Sequence, residues 1–388
     1  MRIGAASSPL AVPLGAALGG YADRVGGATG TLDELQVWCV RLGGLTLVVA
    51  DVVCVRGDLA DSVSAALGGG PVWTTATHTH SGPDLNCGPG IRPTPAPWLE
   101  AIPAAAAEAA SRVVVADATL AWHAGALHGV GSVRARTDGA PSVPVDVLAA
   151  RDDDGRLRGV VVVSPIHPTV LPAGNTRVSA DLAGAVRRAV RRRLGPSTWV
   201  VVATGCAGDI STRMTRRAST PEECDRLGEL AAAQIVDVLA TEPIHLERGD
   251  PPVQAGTRTL RLPIRPAEDV PAAPSGDGRI AHTYRQGLAV ARERMTRHPD
   301  GVAMLRVDTV RLGAIRLAGI GAEPYLAVRD LVDGVVLGYA NGYAGYLPDA
   351  DAFETPGYEV LSSPFRPDAA GRATRAINEM FEAEESDD

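Results

Sequence analysis

The chain has 388 residues, 45% of them hydrophobic, which suits a large buried core and excludes a disordered polypeptide. A net charge of −8 and an aromatic content of 4% argue against nucleic-acid binding, base-stacking platforms and stable membrane association. All 37 basic residues are arginine, so neither a Schiff-base lysine nor a Walker-type phosphate lysine is available.

In chain order, the opening carries one arginine and then small residues broken by Pro9 and Pro13, with no continuous apolar signal region. No run of about 18 apolar residues follows anywhere, and a cytoplasmic protein is expected. The cysteines (Cys39, Cys54, Cys87, Cys206 and Cys224) are odd in number and lack a CxxC spacing, so neither a disulfide framework nor a cysteine–zinc site is expected. An apolar run at Leu45–Val55 reads as a buried strand and Pro103–Val115 as a helix. Asp152-Asp153-Asp154-Gly155 reads as a hairpin turn leading into a strand at Val160–Val163. Asp181–Leu194 reads as a helix stopped by Gly195-Pro196, and Trp199–Ala203 as a strand. On that helix Arg187, Arg188, Arg191, Arg192 and Arg193 read as a solvated face opposite Leu182, Val186, Ala189 and Val190.

A further helix at Pro221–Leu239 opens with Thr220 as N-cap, Pro221 at the first position and Glu223 at the third. Residues 266–278, rich in Pro, Ala and Gly, are the candidate for a mobile insertion. Helices follow at Gln286–Arg297, Tyr325–Val332 and Ala369–Glu384, and strands at Met304–Leu312, Ala314–Gly319 and Val335–Tyr339. Residues 382–388 read as a frayed acidic tail. No internal repeat stands out, and the mixed order predicts a single α/β domain over 1–388, a mixed β-sheet core flanked by helices.

Five polar clusters each follow an apolar strand, where α/β proteins assemble their sites. The first is Thr77-His78-Thr79-His80-Ser81-Gly82-Pro83, in which extended backbone turns both imidazoles to one side. Such a pair either starts a metal site or bonds loop backbone. His167, in Ile166-His167-Pro168-Thr169, is either a satisfied structural histidine or a ligand. Gly208-Asp209-Ile210-Ser211 reads as a tight turn or as part of a site. Glu323 lies in an otherwise apolar, glycine-rich stretch, and a buried carboxylate needs a partner or a metal. Asn341-Gly342-Tyr343-Ala344-Gly345-Tyr346 completes the set. Arg213, Arg216 and Arg217 after Ser211 suit either an anionic substrate group or a solvated loop.

Taken in this order, and with Gly20-Tyr21-Ala22-Asp23 and Ser179-Ala180-Asp181-Leu182-Ala183-Gly184, these motifs resemble the catalytic domain of the neutral/alkaline (non-lysosomal) ceramidases. The resemblance runs from about the N-terminus to Tyr358 and does not include that family's C-terminal immunoglobulin-like domain. It implies a ceramidase-like fold and one catalytic zinc ion per chain, held by His78, His167, Glu323 and Tyr346. It places His80 beside the reacting carbonyl, Ser211 near the site, and Arg134 as a substrate contact, although Val133 stands where the family carries asparagine. Nitrogen and oxygen ligands without thiolate suit hydrolytic zinc. The expected activity is hydrolysis of a small-molecule or N-acyl amide by zinc-bound hydroxide. Amide or ring formation at the same site, a metal- or ligand-binding protein without turnover, and a metal-free serine or cysteine hydrolase are the alternatives.

Overall fold

The structure, a computed structural model, describes residues 1–87, 93–135, 141–272, 275–276 and 278–386. Its three larger sheets share one strand plan. In the first, β1 (Arg2–Leu10), β2 (Leu35–Leu42) and β3 (Leu45–Ala50) run antiparallel in succession, and helix α1 (Gly57–Leu67) returns the chain to β4 (Val72–Ala76), parallel to β3. Helix α2 (Ala96–Arg112) leads to the second sheet, in which β5 (Thr119–His128), β6 (Ser142–Arg151) and β7 (Leu157–Ser164) are antiparallel. Helix α3 (Asp181–Leu194) then crosses to β8 (Trp199–Thr204), parallel to β7. After α4 (Pro221–Leu239) the third sheet repeats the pattern. It consists of β9 (Val253–Pro263), β10 (Val302–Leu312) and β11 (Ile315–Ile320), with β12 (Val335–Leu337) parallel to β11. Helix α5 (Arg279–Arg297) lies between β9 and β10, and α6 (Leu326–Arg329) within the last crossover. In each sheet the hairpin between second and third strands turns at a left-handed glycine: Gly43, Gly155 and Gly313, with φ of 58°, 78° and 61°.

The inner faces of the three sheets meet in one apolar cluster that includes Trp38, Leu47, Val161, Val163, Val310 and Leu317. Helices cover the outer faces. Val160 and Val162 pack with Val186 and Ile235 of α3 and α4, while Val161 and Val163 face the centre. A strand buried on both sides needs no polar alternation, which is why this segment reads as an unbroken valine run. The third sheet is covered by α8 (Ala369–Ser386), which follows α7 (Tyr358–Ser362).

Helices α3 and α4 span the predicted residues, with the Thr220 hydroxyl accepting the Glu223 amide at 3.4 Å and Gly195 at φ 100°. Other expectations are corrected. Helix α2 starts at Ala96, because Pro97 takes the first-turn role and Pro103 lies inside the helix. The strand read as Leu45–Val55 ends at Ala50, where the chain turns away with its residues still buried. Cys54 and Cys87, 33 positions apart, form a disulfide that residue spacing gave no reason to expect. Residues 382–386, read as a frayed tail, continue α8, and 387–388 lie outside the described residues. Of the candidate insertion 266–278, residues 273, 274 and 277 lie outside the described residues, and Ala267–Asp269 forms a 3-10 turn. Among the described residues no helix is long and apolar enough to cross a membrane.

The arginine face of α3 is only partly solvated. Arg188, Arg192 and Arg193 pair with Asp225 and Glu229 at the surface, but Arg187 is buried. Its guanidinium donates twice to Asp51 at the end of β3, at 3.1 and 2.7 Å, and Asp51 also accepts the Gln36 amide at 2.8 Å. This bidentate pair ties the first sheet to the second. Replacing Arg187 with Met strands a buried carboxylate and is expected to cost about 3–5 kcal/mol. Arg193→Ala, which removes only an exposed partner of Glu229, should cost about 1 kcal/mol or less. Urea unfolding midpoints of the two variants test the difference.

Candidate active site

Each crossover leaves polar residues at the carboxyl ends of the third and fourth strands of its sheet, and these ends converge. His78 and His80 follow β4, His167 follows β7, Glu323 follows β11, and Tyr339, Tyr343 and Tyr346 follow β12.

His78 sits in left-handed backbone at φ 62°, and so do Tyr339 (57°) and Asn341 (53°). Such conformations are costly for residues with a Cβ and concentrate at functional sites. The His78 ring stacks on Tyr339 at 4.2 Å between centroids, and its Nδ1 lies 2.5 Å from the Val53 carbonyl oxygen. His167 Nδ1 lies 2.5 Å from the Ala207 carbonyl oxygen. A carbonyl only accepts, so each Nδ1 carries the proton and each Nε2 is left with a bare lone pair. Both lone pairs meet one carboxylate oxygen: Glu323 Oε2 is 3.5 Å from His78 Nε2 and 3.2 Å from His167 Nε2. The Tyr339 hydroxyl donates to the same oxygen at 3.4 Å, and the Tyr343 hydroxyl donates to Oε1. His167 Nε2 has no hydrogen-bond partner among the described residues.

His80 differs from the other two. Its Nε2 is 3.2 Å from His78 Nε2, while its Nδ1 is buried without a partner among the described residues. One ring nitrogen each from His78, His80 and His167 lie within 4.8 Å of one another. Tyr346 is the register partner of Glu323 in a short parallel pair, and its ring stacks at 6.4 Å on His167. Arg134 is half-buried, donates to Glu359 and bonds Tyr346. Ser211 is buried on a two-residue ribbon opposite Ser132, and its hydroxyl accepts the Arg213 amide at 3.3 Å. No imidazole or carboxylate bonds that hydroxyl among the described residues. The structure therefore gathers His78, His80, His167, Glu323, Tyr346 and Arg134 around one region and gives Ser211 separate bonding.

Burial dominates the electrostatics. It depresses the basicity of all three imidazoles, taking His78 to about 3. Burial alone would raise Glu323, but His78, His167 and the Tyr343 hydroxyl outweigh it and hold the carboxyl at about 2. Burial, reinforced by Glu323, pushes the Tyr339 and Tyr346 hydroxyls up. At neutral pH the centre is three neutral imidazoles around one carboxylate, a donor set that suits a divalent cation of nitrogen and oxygen preference.

A second layer fixes these groups. A Cβ on Gly20 would run into the His80 ring, and the Tyr21 ring meets it edge-on at 4.8 Å. Arg24 donates to the His80 and Gly19 carbonyls at 2.6 and 2.7 Å. Asp181 accepts the Val170 and Leu171 amides at 3.1 and 2.9 Å and so anchors the segment beyond His167. Above the histidines opens a cavity of 270 Å³ whose lining includes Tyr21, His80, Asp84, Val290, Tyr343 and Tyr358. Arg213, Arg216 and Arg217 do not line it: the first and last are exposed, and Arg216 donates to the Thr169 carbonyl. Their reading as an anion site is not supported.

The architecture matches known structures. This chain is similar to the neutral ceramidase from Pseudomonas aeruginosa, with a TM-score of 0.77 and 18% identity over 99% of this chain and 74% of that one. It is also similar to a ceramidase complexed with C2, with a TM-score of 0.72 and 17% identity over 98% of this chain and 74% of that one. The chain has the neutral ceramidase fold. No protein-family model and no curated protein matches the sequence.

Tyr339, Tyr358, Glu359 and Arg24 escape a motif-based reading. Composition held one signal: five of the seven tyrosines (Tyr21, Tyr339, Tyr343, Tyr346 and Tyr358) stand at this centre in a chain poor in aromatics. Asn341, the first residue of the tyrosine motif, is a brace. Its Oδ1 accepts the Thr74 amide at 2.8 Å and its Nδ2 donates to Asp308 at 3.0 Å, which locks the strand that leads to His78. Asn341→Ala is expected to cost about 1–3 kcal/mol for each buried group left unpaired. Chemical denaturation measures it, and an unchanged midpoint would refute the bracing role.

Proposed function

We propose that this chain is a zinc-dependent hydrolase of a small-molecule or N-acyl amide, with His78, His167, Glu323 and Tyr346 as metal ligands. The observation that carries the reading is the shared geometry of His78 and His167. Each has Nδ1 bonded to a backbone carbonyl and a bare Nε2 beside the Glu323 carboxylate, the orientation that metal-binding histidines adopt. The orphaned His167 Nε2 fits this assignment, since a buried acceptor without a partner is costly unless an ion satisfies it. The amide class is drawn from the ceramidases that share the fold. A cavity of 270 Å³ lies just below the roughly 300–1,000 Å³ typical of ligand pockets and is open to one side, room for the amide and its nearest substituents.

Zinc, when bound, supplies a Lewis acid for the amide oxygen and lowers the pKa of a water to about 7. The remaining work falls to side chains. His80 has no carbonyl anchor on Nδ1, so it can change protonation state without breaking a structural bond. It is assigned proton transfer: one proton leaves the attacking water and reaches the departing nitrogen as the C–N bond breaks, and the proton left on the new carboxylic acid passes to the released amine, giving a carboxylate and an ammonium. Arg134, engaged by Glu359 and Tyr346, holds the Tyr346 ring beside His167. Ser211 is given no nucleophilic role, because no base bonds its hydroxyl among the described residues.

Purified protein is expected to hold about one zinc ion per chain, measurable by plasma mass spectrometry. His78→Ala and His167→Ala should lose both metal and turnover, and retention of zinc by both variants would dispose of the ligand assignment. His80→Ala should keep zinc and lose turnover by roughly 10²–10⁴. Ser211→Ala should stay active. Chelation should lower Tm as well as activity, and added zinc should restore both.

A further inference from the structure

Among the described residues, the cavity above the histidines is lined by carboxylates and no arginine. Glu323 and Asp84 are its charged lining residues. Glu323 is committed to His78, His167 and the tyrosine hydroxyls. Asp84 is not: Oδ1 accepts the Asn86 amide at 2.9 Å, and no cation pairs with the carboxylate among the described residues. Its position is fixed by backbone. The Asp84 amide donates to the Ala17 carbonyl at 2.9 Å, the Gly19 amide donates to Gly82 at 3.0 Å, and Leu18 bridges to Pro83. A Cβ on Gly19 would meet Asp84 Cα at 3.3 Å, so these two wall segments are in contact. Tyr21, Tyr343 and Tyr358 line the same cavity. A fixed, half-buried carboxylate with no cation partner among the described residues favours a cationic group, through a charge-assisted hydrogen bond.

We propose that Asp84 is a specificity residue that selects amide substrates bearing a protonated amine, an inference that rests on the hydrolase reading above. The substrate ammonium donates to the Asp84 carboxylate while the scissile amide lies at the histidine floor. An ammonium is repelled by a cation held among the histidines and drawn to Asp84, which sets the direction in which the substrate enters.

Two probe pairs test this on zinc-loaded protein. N-acetylputrescine against N-acetylpentylamine places the charge on the amine half. N-butyl-4-aminobutanamide against N-butylpentanamide places it on the acyl half. The charged member of one pair is expected to show a kcat/KM roughly tenfold above its neutral partner, and calorimetric binding tighter by a similar factor. Asp84→Asn keeps the acceptor for the Asn86 amide, so its fold should survive, as Tm checks. In this variant the ratio should collapse to about one. Equal handling of both members by the wild type, or a preference that Asp84→Asn retains, overturns the proposal whether or not turnover occurs. Selective, Asp84-dependent binding without turnover of any probe would leave the cation subsite standing and count against the hydrolase reading instead.

Discussion

The structure turns on one carboxylate set between two buried imidazoles. Glu323 keeps its charge in a place where burial opposes it, because the Tyr339 and Tyr343 hydroxyls donate to its oxygens. Neither histidine returns the compensation as a full charge, since burial keeps both neutral. The centre is left with an unbalanced negative charge and two lone pairs that converge on it. A buried anion of this kind is expensive unless a cation completes it, and here the donors already have the spacing and chemistry of a metal site.

The repeated strand plan explains how residues so far apart in sequence reach this point. Each sheet is an antiparallel meander followed by a parallel crossover, and each contributes from the ends of its last two strands. Third strands lead to Asp51 and Val53, to His167 and to Glu323. Fourth strands lead to His78, to Ala207 and to the tyrosines. Neighbouring strand ends within a sheet also support one another, and one ion pair links the first sheet to the second. The Val53 carbonyl orients His78, the Ala207 carbonyl orients His167, and Arg187 clamps Asp51 beside them. A single substitution at a strand end can therefore disturb a site residue carried by a different strand.

How much of this was legible in the sequence depends on whether the signal is local. The N-cap at Thr220, the stop at Gly195 and the turn at Gly155 are set by neighbours a few residues away, and they stand where patterns placed them. The histidine, glutamate and tyrosine motifs stood out because each is a polar exception after an apolar strand, and the structure brings their residues together. What pattern could not supply were partnerships across the fold. Arg187 lies among four other arginines, and only its contact with Asp51, 136 positions away, makes it a buried residue. Cys54 and Cys87 are likewise joined by tertiary approach rather than motif. Tyr339 ended an apolar strand and read as core, yet it is the platform under His78. The repeat itself is invisible at residue level because strand order, not side-chain identity, is what recurs.

The strained backbone bears on what the protein must do before any ligand arrives. His78, Tyr339 and Asn341 each hold a left-handed conformation that costs about 1–3 kcal/mol for a residue with a Cβ. The strain is opposed by contacts that do not involve an ion: the Val53 carbonyl on His78, the Asn341 amide and side chain on Thr74, and the Thr204 hydroxyl on the Thr77 carbonyl at 2.8 Å. If a metal alone held these conformations, the protein would have to assemble its site on binding and would forfeit affinity to ordering. The hydrogen-bonded frame instead sets the histidine orientations in advance, so ordering the ligands draws little from the binding free energy. The same frame leaves His80 as the one imidazole of the three without a carbonyl anchor at Nδ1 among the described residues.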